Sequence, residues 1–483
     1  MFDFYNSLGA RSYYVEEGSV DCFPSLAECL VGTNTKEIDA TAILSVLMKN
    51  YIVGSRTLIK GVNRTPWMSK LNRDGEWITS ELPKHGMRIL GPEASSEQLY
   101  KYLRDEIVEF IVGKKTIGIL LSGGMDSRIV AGVVRQLQEE GIYSGDVVAL
   151  TWGVSNSRDV LYAERIAVAF GWNFEKHELN PEGLARNIEL TAERGAEYSP
   201  VHLHAMESIS KINGLDGILA GSYGDSIGRG EYSGRRTDKL PDILSKHLNH
   251  FSLLLKSVED PAFKKIKDDL LVSRQFFPGR SEASYREVEM QMHYMRRQLN
   301  ACMEVIDDKI PLYQVFGSPD TFGFMWSLDA KYRNDDVYEH LLHKLPAVLR
   351  DIPWARTGKK YNQNNLPKED AFTSLNNNYG KWLRNDLREY VLGLINNGAL
   401  QDLGIFNERS LNMWCNYWSK SNDPKADRLD EKMAWLASLS IFTMKYDVKS
   451  VGENHQLTLN DSFSQIEAYL HTNLYHLALK IKK

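Results

Sequence analysis

A chain of 483 residues is longer than one ordinary hydrophobic core fills, so two or more packed units are expected. With 43% hydrophobic and 25% charged residues, the composition excludes a long disordered or low-complexity chain. A net charge of -5 argues against a surface that coats nucleic acid, and no apolar run approaches the roughly 20 residues needed to cross a bilayer.

The start, MFDFYNSLGARSYYVEEG, lacks the basic-then-apolar layout of a secretory signal, so a cytoplasmic location without membrane or nucleic-acid partners is expected. Cys22, Cys29, Cys302 and Cys415 form no CxxC pair and have no histidine at zinc spacing. They read as reduced, buried thiols, with neither structural zinc nor a sulfur relay.

In chain order, residues 1–95 form a first unit. Alternating stretches at Arg11 to Val15 and Thr57 to Val62 predict strands, with a helix over Ala40 to Tyr51 between them. The segment Ser96 to Val112 is amphipathic and opens on a Ser-Ser-Glu cap signal, which predicts a helix. Residues 96–483 form the second unit. Its start, about 115–240, alternates strands (Thr116 to Leu121, Val147 to Thr151, Asn173 to Leu179, Asp216 to Ala220) with helices (Arg128 to Glu140, Val160 to Phe170). That alternation predicts βαβ units and a doubly wound parallel sheet, hence an α/β fold. From about 241 to 483 helical periodicity dominates, with helices over Ser284 to Val305, Asp335 to Leu349, Leu383 to Asn396 and Asp430 to Phe442.

The strongest chemical signal follows the first parallel strand: Leu121, then Ser122-Gly123-Gly124-Met125-Asp126-Ser127, then a helix. Adjacent glycines let the backbone turn tightly against a ligand, and a helix amino end favours an anion. Ser122 and Ser127 add hydroxyls, while Asp126 suits a magnesium ion bridging to phosphate. There is no Gly-Lys-Ser/Thr, so this is no Walker loop. Thr151 leaves the second strand, and Gly221-Ser222-Tyr223-Gly224-Asp225-Ser226 leaves a later one. Pro353 to Lys360 is a basic loop carrying Lys359 and Lys360. The sequence alone reads His177 as a strand residue and Ala163, Ala167 and Gly171 as packing positions.

Together these residues resemble the PP-loop of ATP pyrophosphatases and, through Thr151-Trp152-Gly153, Asp159, Ala163, Ile166-Ala167, Gly171 and His177, the asparagine synthetases. Ser222 and Ser226 depart from glutamates of that family, and Gln314 from an aspartate after its late proline, here Pro311. The segment ILSVLMKNYIVGSRTLIKGVNRTPWMSKLNRDGEWITSEL resembles the end of the family's amidotransferase domain. The family's terminal cysteine is replaced by Met1-Phe2-Asp3, so residues 1–95 are expected to be a degenerate glutaminase-like remnant. Beta-lactam synthetases and lasso-peptide cyclases likewise lack that cysteine. The Asp-Ser-Arg form of the loop resembles proteins encoded with surface-polysaccharide genes.

The resemblance implies an AMP-forming amide ligase using ATP and Mg2+. ATP and pyrophosphate would lie on Leu121, Ser122, Gly123, Gly124, Asp126, Ser127, Thr151 and Gly221, the metal on Asp126 and Asp225, and catalytic roles on Asp225 with Lys359 or Lys360. Its partners would be a small-molecule, peptide or glycan carboxylate and an amine, with nitrogen from free ammonia or a separate glutaminase. Two other readings stay open: an inactive nucleotide-binding scaffold or sensor, and a PP-loop enzyme that modifies nucleobases or tRNA.

Overall fold

The computed structural model describes residues 8–33, 36–72, 74–244, 251–361, 372–450 and 455–481. Near the start, β1 (Tyr14–Glu16), β2 (Cys22–Phe23) and β3 (Val62–Arg64) form an antiparallel sheet in the order β2-β1-β3. A hairpin follows from β4 (Ser69–Leu71) and β5 (Trp77–Thr79). The helix Ala40–Lys49 is capped by Asp39, which accepts from the amides of Thr41 and Ala42, and ends at Asn50 in the left-handed region.

The central sheet comprises β6 (Thr116–Leu120), β7 (Asp146–Gly153), β8 (Asn173–Glu178) and β9 (Gly217–Ala220); β10 (Glu231–Tyr232) and β11 (Arg235–Arg236) pair as a separate ribbon, and β12 (Leu312–Gln314) completes the central sheet. Its order is β12-β9-β6-β7-β8, and every pairing is parallel. Alternate residues of β6 feed two different cores. Ile117 and Ile119 join Ile129 and Val133 of the helix Met125–Glu139. Leu120 joins Leu150, Ile218, Met206 and Ile306 on the other face. Helices therefore cover both faces, which is the doubly wound α/β arrangement expected from the sequence.

A third cluster unites distant parts of the chain. Leu26, Ile43 and Leu47 from the first residues pack with Ile266 of the helix Lys256–Gln275 and with Trp435 and Phe442 of the helix Arg428–Tyr446. Charges cross the same boundary: Glu197 accepts from Arg64 at 3.1 Å and from Arg297 at 2.8 Å, all three buried.

Several boundaries differ from expectation for local reasons. The helix predicted from Ser96 starts at Pro92, because proline fits the first helical position and Gly91 precedes it. The hydroxyls of Ser95 and Ser96 turn back to carbonyls of Leu90 and Glu93 instead of capping. The helix predicted over 335–349 is two, Asp335–Lys344 and Val348–Asp351, since Pro346 between them offers no amide. The 284–305 helix extends from Glu282 to Asp307, but its middle, Met290–Asn300, is a π-helix. Among the described residues no helix is long and apolar enough to cross a membrane.

Candidate active site

In the sheet order, β6 runs on to β7 on one side while β9 runs on to β12 on the other. The loops leaving β6 and β9 thus part in opposite directions, and the crevice between them is where an open parallel sheet places its ligand. Leu121 extends β6 by one bond, its amide donating to Leu150 O at 2.8 Å. The turn that follows is held from within. Ser122 N donates to Ser127 Oγ at 3.1 Å, Gly124 N donates to Ser122 Oγ at 3.1 Å, and the Gly123 amide is held by the half-buried Asp159 carboxylate. No side chain caps the helix Met125–Glu139, whose N-cap is Gly124. Its first amides are the donors left to an anion, one step later than the glycines themselves.

The glycines are required by close approach. A Cβ on Gly123 would lie 2.7 Å from Ala355 Cβ. One on Gly221 would lie 2.6 Å from Ser127 N, and one on Gly224 would lie 2.5 Å from Asp126 Cβ. Backbone thus meets backbone between the two loops, and this contact brings Asp225 beside Asp126. Tyr223 holds the second loop in the left-handed region (φ 70°) and donates its hydroxyl to Leu8 O at 3.0 Å. Asp225 accepts from Ser226 N at 2.8 Å.

Burial raises both carboxylates. Asp126 is pushed up by desolvation and drawn back chiefly by Arg229. Asp225 is pushed up to about 7, by burial first and by the charge of Asp126 second. Asp126 Oδ1 is buried with no hydrogen-bond partner, although the side chain as a whole is 23% exposed. Two raised carboxylates, the second pushed up by the charge of the first and the first with an unmatched oxygen, fit a hard divalent cation that takes its remaining ligands from substrate and water. Among the described residues there is no group of three or more His, Cys, Asp or Glu placed to hold a metal unaided.

Thr151 is buried near the end of β7, one residue past the Leu150 carbonyl that receives Leu121. The late loop folds as a turn, Trp354 N donating to Lys359 O at 2.7 Å, and is tied to the first loop by Ala355 N on Gly123 O at 3.0 Å. The structure therefore brings the Lys359 backbone to the turn, whereas the Lys360 ammonium pairs with Asp351 at 2.8 Å. His177 is a buried strand residue, its Nδ1 2.7 Å from Ser208 Oγ. Gln314 is buried and bonded to Asn300.

Two arginines escaped the sequence reading. Arg229 is 2% exposed, with its Nε 3.9 Å from Asp126 Oδ1 and its other end on Asp335 at 3.1 Å. The rings of Tyr338 and Trp354 flank it at 5.5 and 5.4 Å, and Tyr338 also donates to Gly224 O at 2.7 Å. Its signal was a lone charge between Gly228 and Gly230, directly after the Asp225 turn. Arg128 is fully buried and donates to the carbonyls of Leu349, Ile352, Pro353 and Gly123. With no carboxylate beside it, burial lowers its guanidinium pKa to about 9. The Asp-Ser-Arg triplet marked it, but nothing local showed that it fastens the late loop.

A glycine turn and uncapped helix start at the switch point of a parallel sheet, faced by two aspartates and lacking the Walker lysine, define an α/β fold of the PP-loop class. Residues 98–292 match the family model described as asparagine synthase. A Methanocaldococcus jannaschii protein provisionally named asparagine synthetase (glutamine-hydrolyzing) 1 is 24% identical over 141 residues. The match takes in 28% of this chain and 25% of the archaeal one, so the chain spans about a quarter of the length of that curated relative. Among solved structures, NMN synthetase from Francisella tularensis is 13% identical, covering 46% of this chain and 93% of that one with a TM-score of 0.22. The U34-tRNA thiolase NcsA from Methanococcus maripaludis, solved with its 4Fe–4S cluster, is 12% identical, covering 45% and 78% with a TM-score of 0.22.

Proposed function

We propose that this chain is an AMP-forming carbon–nitrogen ligase that joins a substrate carboxylate to an amine at the expense of ATP. The observation that carries the proposal is the contact between the two loops, which sets Asp126 and Asp225 against the uncapped helix start inside the segment that matches the asparagine synthase model. Asp126 and Asp225 would hold Mg2+, which supplies charge neutralisation on the leaving pyrophosphate when bound. The amides at the start of Met125–Glu139, with the hydroxyls of Ser122 and Ser127, bind and orient the β- and γ-phosphates. The substrate carboxylate oxygen then bonds to the α-phosphorus as the α–β bond breaks, and pyrophosphate leaves. An amine nitrogen next attacks the acyl carbon, AMP leaves with the bonding pair, and the amine's proton is lost.

Of the two lysines, Lys359 closes the turn that is anchored to Gly123, and Lys360 follows it directly. Nitrogen would come from a free amine or from ammonia, with a separate glutaminase as one source. All four cysteines are buried, and burial raises every thiol, Cys29 and Cys415 to about 11, which is the opposite of an activated nucleophile. The acceptor class is a small-molecule, peptide or glycan carboxylate.

The test is to incubate the chain with ATP, Mg2+ and a panel of carboxylates and amines, and to identify the nucleotide product by mass. AMP with pyrophosphate supports the proposal, and the stimulating carboxylate names the acceptor class. ADP with phosphate overturns it. Asp126→Ala should abolish pyrophosphate release and keep the folded circular-dichroism spectrum; an unfolded variant would make Asp126 a structural residue. ATP binding without turnover across the panel would shift the reading to a nucleotide sensor.

A further inference from the structure

The helix Leu459–Ile481 packs the wrong way round for a surface helix. Its polar side faces the protein: Asp461 accepts from Lys256 N at 2.6 Å, Ser464 Oγ accepts from Ser252 Oγ at 2.9 Å, and Tyr475 lies under the Arg428 guanidinium at 4.6 Å. Its apolar side faces out. Leu459, Phe463, Ile466, Leu470, Leu474 and Leu477 are each between 55 and 79% exposed. Their spacing of three and four residues keeps all six within an arc of about 80° at 100° per residue. The stripe is therefore straight and continuous, unlike the singly scattered exposed apolar residues Val31 or Val168.

We propose that this stripe is a dimer interface occupied by the same helix of a second copy of the chain. Size favours that occupant. At on the order of 100 Å² per side chain, a two-fold pairing covers roughly 600 Å² on each copy and about 1,200 Å² in all, the lower bound of a stable interface. Symmetry favours it too, because an isologous contact hides both stripes at once, and the inner anchors leave this face free to meet its equal. Charge argues against a lipid surface. A membrane-surface helix carries lysines and arginines along its apolar face, whereas the stripe itself, Leu459 to Leu477, has none beside it, Lys480 follows only past its end, and Glu467 borders it. The pairing is independent of the catalytic reading.

Analytical ultracentrifugation at low micromolar concentration decides it. The wild-type chain should sediment at twice the 55.1 kDa chain mass. Ile466→Glu with Leu470→Glu should sediment as a monomer with an unchanged circular-dichroism spectrum, since both side chains are more than half exposed in the single chain. Val168→Glu, an exposed apolar residue elsewhere, should stay dimeric. A monomeric wild type, or a double variant that still dimerises, overturns the proposal. A monomeric wild type that co-floats with phosphatidylcholine vesicles overturns it in favour of a lipid surface.

Discussion

Asp225 carries a protonation cost that can be measured directly. A carboxyl raised to about 7 from an unfolded value near 4 stabilises the folded state below that unfolded value. The stabilisation is lost as pH rises through 7, where the folded chain must accept a second buried negative charge beside Asp126. Asp225→Asn removes the cost. The variant should match wild type below about pH 4, gain on it between pH 4 and 7, and exceed it by about 1–3 kcal/mol near pH 8, a gap that Mg2+ with pyrophosphate should narrow. Thermal unfolding of both proteins across that range checks it, and a gap that stays constant with pH would show that Asp225 ionises normally. Arg229 is the other half of this balance. Arg229→Met leaves Asp126 facing Asp225 without its nearest cation and should cost about 3 kcal/mol of stability. Lysine should recover part of that loss, and equal stability of the Met and Lys variants would assign the effect to packing against Tyr338 and Trp354. The sequence displayed Ser122 to Ser127 because strand, turn and helix lie in one local run. It hid the roles of Arg229 and Arg128, whose partners are brought to them only by the tertiary fold.

At the scale of elements, β6, β7 and β9 were legible as short apolar runs punctuated by glycine, since a strand buried on both faces leaves no other pattern, whereas β8 is a largely exposed edge strand. β12 was not legible, because three residues, Leu312–Gln314, are too few to show a period. The helices Lys256–Gln275 and Leu459–Ile481 also went unread as elements. Each carries apolar residues at helical spacing, and in the first Pro261 interrupts the run. The relation between the loops after β6 and β9 was equally invisible, although it is what makes the site. Gly221→Ala tests it. The added methyl would sit 2.6 Å from the Ser127 amide nitrogen, and backbone on both sides cannot yield as a flexible side chain would. A cost of about 2 kcal/mol and a loss of ATP affinity are expected together, from thermal unfolding and nucleotide titration. Unchanged affinity in a folded variant would mean that the second loop does not set the geometry of the first.

For the whole molecule, the sequence suggested a boundary near residue 95, ahead of the helix that leads into the alternating strands and helices. The apolar packing crosses that position: the helix Ala40–Lys49 shares its core with Lys256–Gln275 and Arg428–Tyr446 rather than closing one of its own. Glu197 is the polar counterpart of this shared core. It is 2% exposed and takes charged hydrogen bonds from Arg64 of β3 and from Arg297 of the long helical run, so one carboxylate spans the early sheet, the middle of the chain and the helical region. A buried carboxylate between two buried guanidiniums adds little over an apolar filling, but removing it alone strands two cations in a poorly polarisable interior. Glu197→Ala should therefore cost about 3–5 kcal/mol, and the Arg64→Met, Glu197→Ala, Arg297→Met triple variant should recover much of it. Denaturant unfolding of the two variants distinguishes the possibilities. If the region after residue 95 were an autonomous domain, Glu197→Ala would split the transition into two steps, because only the junction would be weakened. A single cooperative transition moved to lower denaturant is the outcome expected when the first residues and the helical region stand or fall together.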